Sequence, residues 1–116
     1  MSIRMILHDY ESSSGKDLIM EYLDSLPDDE RTDGLMVMKC MENNEFDKIL
    51  FKRWEKKVYE VYFRKNNRIF YITVDGNNIY LLHACRKQKN KTEKNDRKIV
   101  KKRAKELGML LKKVFI

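Results

Sequence analysis

Three β-type segments, joined by turns too short for anything but antiparallel pairing, constrain this chain most. From Val58 onward VYEVYFR, RIFYITV and IYLLHAC follow one another, separated by Asn66-Asn67 and by Asp75-Gly76-Asn77-Asn78. Branched and aromatic side chains suit a pleated strand, and Asn and Gly tolerate the left-handed backbone of tight hairpins. The spacing predicts an antiparallel meander. A two-residue turn at Asn66-Asn67 sets Phe63 against Phe70, Val61 against Ile72 and Tyr59 against Val74 on a core face. The opposite face then pairs Arg64 with Ile69, Tyr62 with Tyr71 and Glu60 with Thr73, a polar and aromatic surface open to solvent and to binding.

Around this run the period changes. Ile3 to His8 is a short apolar stretch that suits a first strand, and Ser12 to Gly15 offer a helix start. Leu18, Ile19, Tyr22, Leu23 and Leu26 form one face of an amphipathic helix that Pro27 ends. Asp28, Asp29 and Glu30 suit the positive end of a second helix, whose inner face is Leu35, Met38 and Met41 up to about Asn44. After the meander, Thr92 is placed to cap a basic helix with Val100, Ala104, Leu107 and Leu111 inward. The expected class is α+β: the meander plus an N-terminal strand, two helices on one face and a C-terminal basic helix. At 116 residues this makes one domain over 1–116.

Charge narrows the function. Residues 1–47 carry 4 Lys/Arg against 12 Asp/Glu, residues 48–80 carry 8 against 3, and residues 81–116 carry 13 against 3. Such a gradient points to a polyanion held by the C-terminal half, or to a lysine-rich solvated surface. Cys40 and Cys85 have no C-x-x-C spacing, and neither has a histidine placed for a zinc set, so no metal and no cofactor are expected. The start turns polar too early for a secretory signal and no run is long enough for a membrane span, so a reducing cytoplasm is the expected setting.

Phosphate-loop, zinc-hydrolase and nucleophile-elbow motifs are missing. What remains is cations among aromatics near the meander and its exit: Tyr62, Arg64, Arg68, Tyr71, Arg86, Lys87, Lys89 and Lys91. Arginine forks onto phosphate and tyrosine stacks a base, a set suited to single-stranded RNA. Attack by a 2′-hydroxyl needs a proton acceptor, neutralisation of the pentacoordinate phosphate and a proton donor for the leaving 5′-oxygen, and crowded cations can supply these. Plainer readings stand beside this one. Arg64 and Glu60 suit a surface ion pair, His83 a satisfied core position, Trp54 a packing role, and Met36, Met38 and Met41 the core. The helix lysines suit a solvated face, and Asp24, Asp28, Asp29 and Glu30 a solubilising one.

The segment VYEVYFRKNNRIFYITVDGNNIYLLHACRKQKNKT resembles the centre of RelE/ParE superfamily toxins, closest to the phage-derived, Gp49-like HigB branch. There an E-L-R strand, a Y-R-I-x-Y-like strand and an L-H-G-F-x-K-K-x-x-K-T-P-like stretch occur in order, and GKDLIMEYLDSLPDDER is similar to that branch's helix ending in Leu-Pro. Glu60, Arg68, Tyr71, His83, Lys87, Lys91 and Thr92 match those motifs. Tyr62 stands where an arginine is usual, with Arg64 two residues on; Cys85 replaces phenylalanine, Gln88 a lysine and Glu93 a proline.

The resemblance implies a RelE-like fold and the toxin half of a type II toxin-antitoxin pair, cutting mRNA in the ribosomal A site. It implies a HigA-like helix-turn-helix antitoxin and a heterotetrameric or larger complex. Catalysis is then expected from Arg64, Arg68, Lys87 and Lys91, and RNA binding from Tyr62, Tyr71, Arg86 and Lys89. A gyrase-poisoning toxin on the same scaffold and a non-enzymatic basic binding module are the competing functions.

Overall fold

The β-type run forms the centre of a five-stranded sheet in a computed structural model, which describes residues 3–87 and 93–116. Strands β1 (Ile6–Asp9), β2 (Leu50–Glu55), β3 (Val58–Phe63), β4 (Asn67–Val74) and β5 (Asn78–Arg86) lie side by side in the order β1-β5-β4-β3-β2. The meander is antiparallel as expected. However, β2 was not expected, and β1 pairs with β5 in parallel, so the sheet is mixed. Helices α1 (Leu18–Asp24) and α2 (Asp28–Glu42) cover one face and α3 (Lys94–Leu111) covers the other. The class is α+β, of a kind that fits a small RelE-like fold.

Local chemistry sets the helix limits. Asp17, not the Ser12–Gly15 stretch, starts α1: its Oδ1 accepts from the backbone N–H of Ile19 and Met20 at 3.1 and 3.0 Å. Pro27 then begins α2, where its missing N–H costs nothing. The inner face of α2 is Glu30, Gly34, Val37 and Met41, while Leu35 and Met36 are exposed and Met38 is half-buried. The methionine series is therefore only partly core. Gly34 allows the close approach: a Cβ there would lie 2.4 Å from Leu23 Cδ2 and 2.8 Å from Phe63 Cε2. Thr92, the expected cap of α3, lies outside the described residues.

The β3–β4 register departs from the expected one by an odd number of residues. Phe63 pairs with Asn67, Val61 with Ile69 and Tyr59 with Tyr71, leaving Arg64, Lys65 and Asn66 as the loop. Because strand side chains alternate, this moves one set of β4 residues to the other face. Val61, Phe63, Ile69 and Tyr71 meet α1 and α2, whereas Val58, Phe70, Ile72 and Val74 meet Val100, Ala104 and Leu107 of α3. The face expected to stay open is thus covered by α3.

Candidate active site

The acidic first turn of α2 builds one wall of the site by holding the β3–β4 loop. The Arg64 backbone N–H donates to Asp33 at 2.7 Å, and Arg64 Nε bonds Asp29 at 2.8 Å. Glu30 Oε1 accepts from Asn67 Nδ2 at 2.8 Å and from the Lys65 N–H at 3.3 Å, and lies 2.9 Å from Arg86 Nη2. Asn67 is fully buried, and its Oδ1 accepts from the Tyr22 hydroxyl. Asp29 and Glu30 are structural rather than a solubilising surface. The bond from Arg64 holds the Asp29 carboxyl below its usual range, and the bond from Asn67 does the same for Glu30. Arg64 pairs with Asp29, not with Glu60, and still exposes much of its side chain, as does Arg86.

On the other side of that loop lies a cleft of about 580 Å³, lined by Leu50, Phe51, Lys52, Tyr62, Asn66 and Lys87 among others. Lys52 Nζ is 5.7 Å and Lys87 Nζ 5.4 Å from the centroid of the Tyr62 ring, so one aromatic face region carries two ammonium groups. The Lys87 N–H donates to the Asn66 carbonyl at 2.5 Å, tying the exit of β5 to the loop. Phe51 packs edge-on to Phe46 at 5.4 Å and keeps 40% of its surface exposed. Burial and the Glu60 carboxylate push the Tyr62 phenol up. Lys52 and Phe51 were not singled out from sequence, although both belong to the cation and aromatic stretch FKRWEKK.

Two expected site residues turn inward. Arg68 is 3% exposed, and its Nη1 binds Glu60 Oε1 at 2.9 Å, with Glu60 itself 2% exposed. A buried, paired guanidinium has no open side for a phosphate, so Arg68 supports the cleft from beneath. Tyr71 is buried in the α1/α2 core, tilted against Phe46 and Tyr59, and stacks no base. Tyr71 turns inward because the three-residue loop shifts the register, and Arg68 because α3 covers the face it shares with Tyr62. Trp54 meets its packing expectation, edge-on to Phe70 at 5.1 Å beneath Arg97. Lys89 and Lys91 lie outside the described residues.

Beneath α3 the sheet buries a second polar group. His83 Nε2 bonds Asp96 Oδ1 at 2.8 Å, and Arg103 Nη1 lies 3.4 Å from His83 Nδ1. Burial lowers the His83 pKa and pushes the Cys85 thiol up to about 12. The ligand atoms of His83, Cys85 and Asp96 lie within 4.8 Å of one another, a metal-type cluster of a histidine with Cys85 that the sequence spacing did not suggest. The surroundings oppose a cation all the same. The Arg68 and Arg103 charges face the trio, and an arginine sits where a metal-bound histidine needs an acceptor. His83 is the satisfied core histidine of the plainer reading.

Among the described residues no helix is long and apolar enough to cross a membrane. A family model described as "Phage derived protein Gp49-like (DUF891)" matches residues 21–105, from within α1 through β5 and most of α3. No curated protein matches the sequence.

Proposed function

The chain belongs to the phage-derived Gp49-like family, which is associated with the toxins of toxin-antitoxin pairs, and on that premise we propose that it is a HigB-type endoribonuclease cutting ribosome-bound mRNA. The observation that carries this reading is the Tyr62 ring with the ammonium groups of Lys52 and Lys87 at 5.7 and 5.4 Å from its centroid, at an open cleft. Phosphate charge is neutralised by such a pair, and an unpaired base stacks on an aromatic face beside it. A cleft of this volume is of nucleotide size.

In this reading the scissile phosphate sits between Lys52 and Lys87. Their ammonium groups stabilise the pentacoordinate anion formed when the 2′-hydroxyl attacks and passes its proton to solvent water, and one of them protonates the leaving 5′-oxygen. Tyr62 and Phe51 orient the flanking bases. Arg64 and Arg86 exchange Asp29 and Glu30 for backbone phosphates, and Lys89 and Lys91 extend the basic track. Arg68 is a positioning residue: through Glu60 it holds the strand beneath Tyr62. The partner is a HigA-like antitoxin in a heterotetrameric or larger complex, and the setting is cytoplasmic.

Induced expression in bacteria lacking the antitoxin, with transcript 5′ ends mapped, tests the proposal. New ends inside translated frames are expected, lost when translation is blocked and lost in Lys87→Ala. Growth arrest without new ends points to gyrase instead, and absence of arrest leaves a basic binding module.

A further inference from the structure

The sheet has two edges, and they are finished differently. β1 is only four residues long and pairs in parallel with β5. β2 is longer, and Leu50 to Arg53 pair only with β3, opposite Tyr62, Val61, Glu60 and Tyr59. Among the described residues no backbone hydrogen bond reaches the outer side of Leu50 to Arg53. Leu50 is 70% exposed, and Lys52 and Arg53 are exposed as well. A bulge between Arg53 and Glu55 ends the straight stretch, and beyond it Arg97 of α3 takes Glu55.

Free donors and acceptors along a straight edge bind an extended peptide as an added strand, and the side chains of that edge choose its sequence. Leu50 and Lys52 point to the α3 face, as does Tyr62, while Phe51 and Arg53 point to the α1/α2 face with Val61 and Tyr59. Each face therefore offers one apolar group followed by one cation. Lys48, Lys56 and Lys57 continue the positive charge on both sides, with Asp47 opposing it and Glu55 already paired. Two copies of a chain with net charge +7 are kept from joining at this edge, since cations would meet cations. An acidic strand meets no such penalty.

We infer that the Leu50–Arg53 edge docks an extended acidic segment of the partner antitoxin, with two adjacent carboxylates opposite Lys52 and Arg53 and two adjacent apolar residues opposite Leu50 and Phe51. The added strand covers Phe51 and Lys52, which are walls of the cleft, so docking and RNA binding exclude each other. The inhibitory consequence rests on the proposed function; the docking itself does not.

The probe is the acetylated, amidated peptide Thr-Glu-Glu-Val-Ile-Thr, added to the full-length chain, beside a copy of equal charge with N-methylated Glu and Val amides. Amide hydrogen exchange at Leu50–Arg53 is expected to slow about tenfold or more with the first peptide and not with the second. Arg53→Glu, which alters no cleft residue, is expected to abolish that protection while RNA cleavage persists. Equal binding of both peptides reduces the effect to charge attraction and overturns the proposal. So does unchanged exchange, or a dimer in sedimentation in which amide exchange at Leu50–Arg53 is already slow without peptide, since the occupant would then be a second copy. Protection without any RNA cleavage by the free chain upholds the docking edge and sinks the nuclease reading.

Discussion

The two faces of the sheet solve the same covering problem with opposite chemistry. Against α1 and α2 the sheet presents Val61, Phe63, Ile69, Tyr71, Ile79 and Leu81, and its buried polar contact, Asn67 with Glu30, is confined to one end, where Asp29 and Asp33 also hold the β3–β4 loop. Against α3 the sheet buries Glu60, Arg68 and Cys85 among Phe70, Ile72 and Val100, with His83 and Asp96 partly buried beside them. An apolar face gains free energy from area alone, whereas a buried ion pair returns little net stability and depends on both partners remaining. The polar network lies under Tyr62, so this face trades tolerance for a defined position of the cleft.

The largest expected effect breaks that network. Glu60→Ala leaves the Arg68 charge buried and unpaired, and is expected to destabilise the fold by about 3–5 kcal/mol in urea unfolding. A loss under 1 kcal/mol would mean that Arg68 reaches water and that the faces differ less than drawn. Next is Lys87→Ala, which removes one ammonium from Tyr62 without touching either core. RNA cleavage is expected to fall about a hundredfold with Tm unchanged; a matching drop in Tm would make Lys87 a structural residue. On the apolar face, Gly34→Ala forces a methyl against Leu23 and Phe63, and a cost of about 1–3 kcal/mol in the same unfolding assay checks how closely α2 packs.

The smallest effect concerns a carboxyl at the edge of the apolar side. Burial, with Asp17 beside it, raises the Asp9 pKa from 3.8 to about 7. The folded chain then holds a proton that the unfolded chain releases, so its stability falls as pH rises from about 4 to about 7. Asp9→Asn should remove that slope. The variant is expected to be more stable than the parent at pH 8 by about 1 kcal/mol after solvent screening, with the gap closing near pH 4. A gap independent of pH would remove Asp9 as its source.

How much of this was legible depends on whether local pattern or tertiary contact decides. The meander, the stop at Pro27 and the inward row Val100, Ala104 and Leu107 all follow from period and turn chemistry, and all stand in the fold. β2 was missed because LFKRWE has no alternation: an edge strand with little cover on either face keeps none. The register was missed because Asn66-Asn67 looks like a two-residue turn, while Asn67 is committed to Glu30, Arg64 and Tyr22, contacts that no local pattern carries. Tyr71 then left the face of Tyr62 for the α1/α2 core, and Arg68 took the place opposite Tyr62. Within the site, Tyr62 and Lys87 were visible as an aromatic and a cation at neighbouring strand ends. Lys52 needed β2 to bring it there.

The carboxylates on α2 are resident counterions. In the proposed RNA complex, Arg64 and Arg86 would release Asp29 and Glu30, which stay attached to the protein, rather than mobile ions set free into solution. Binding affinity should therefore decline with salt less steeply than a count of the site's cations implies. Neutralising those two carboxylates should steepen the decline while it tightens binding.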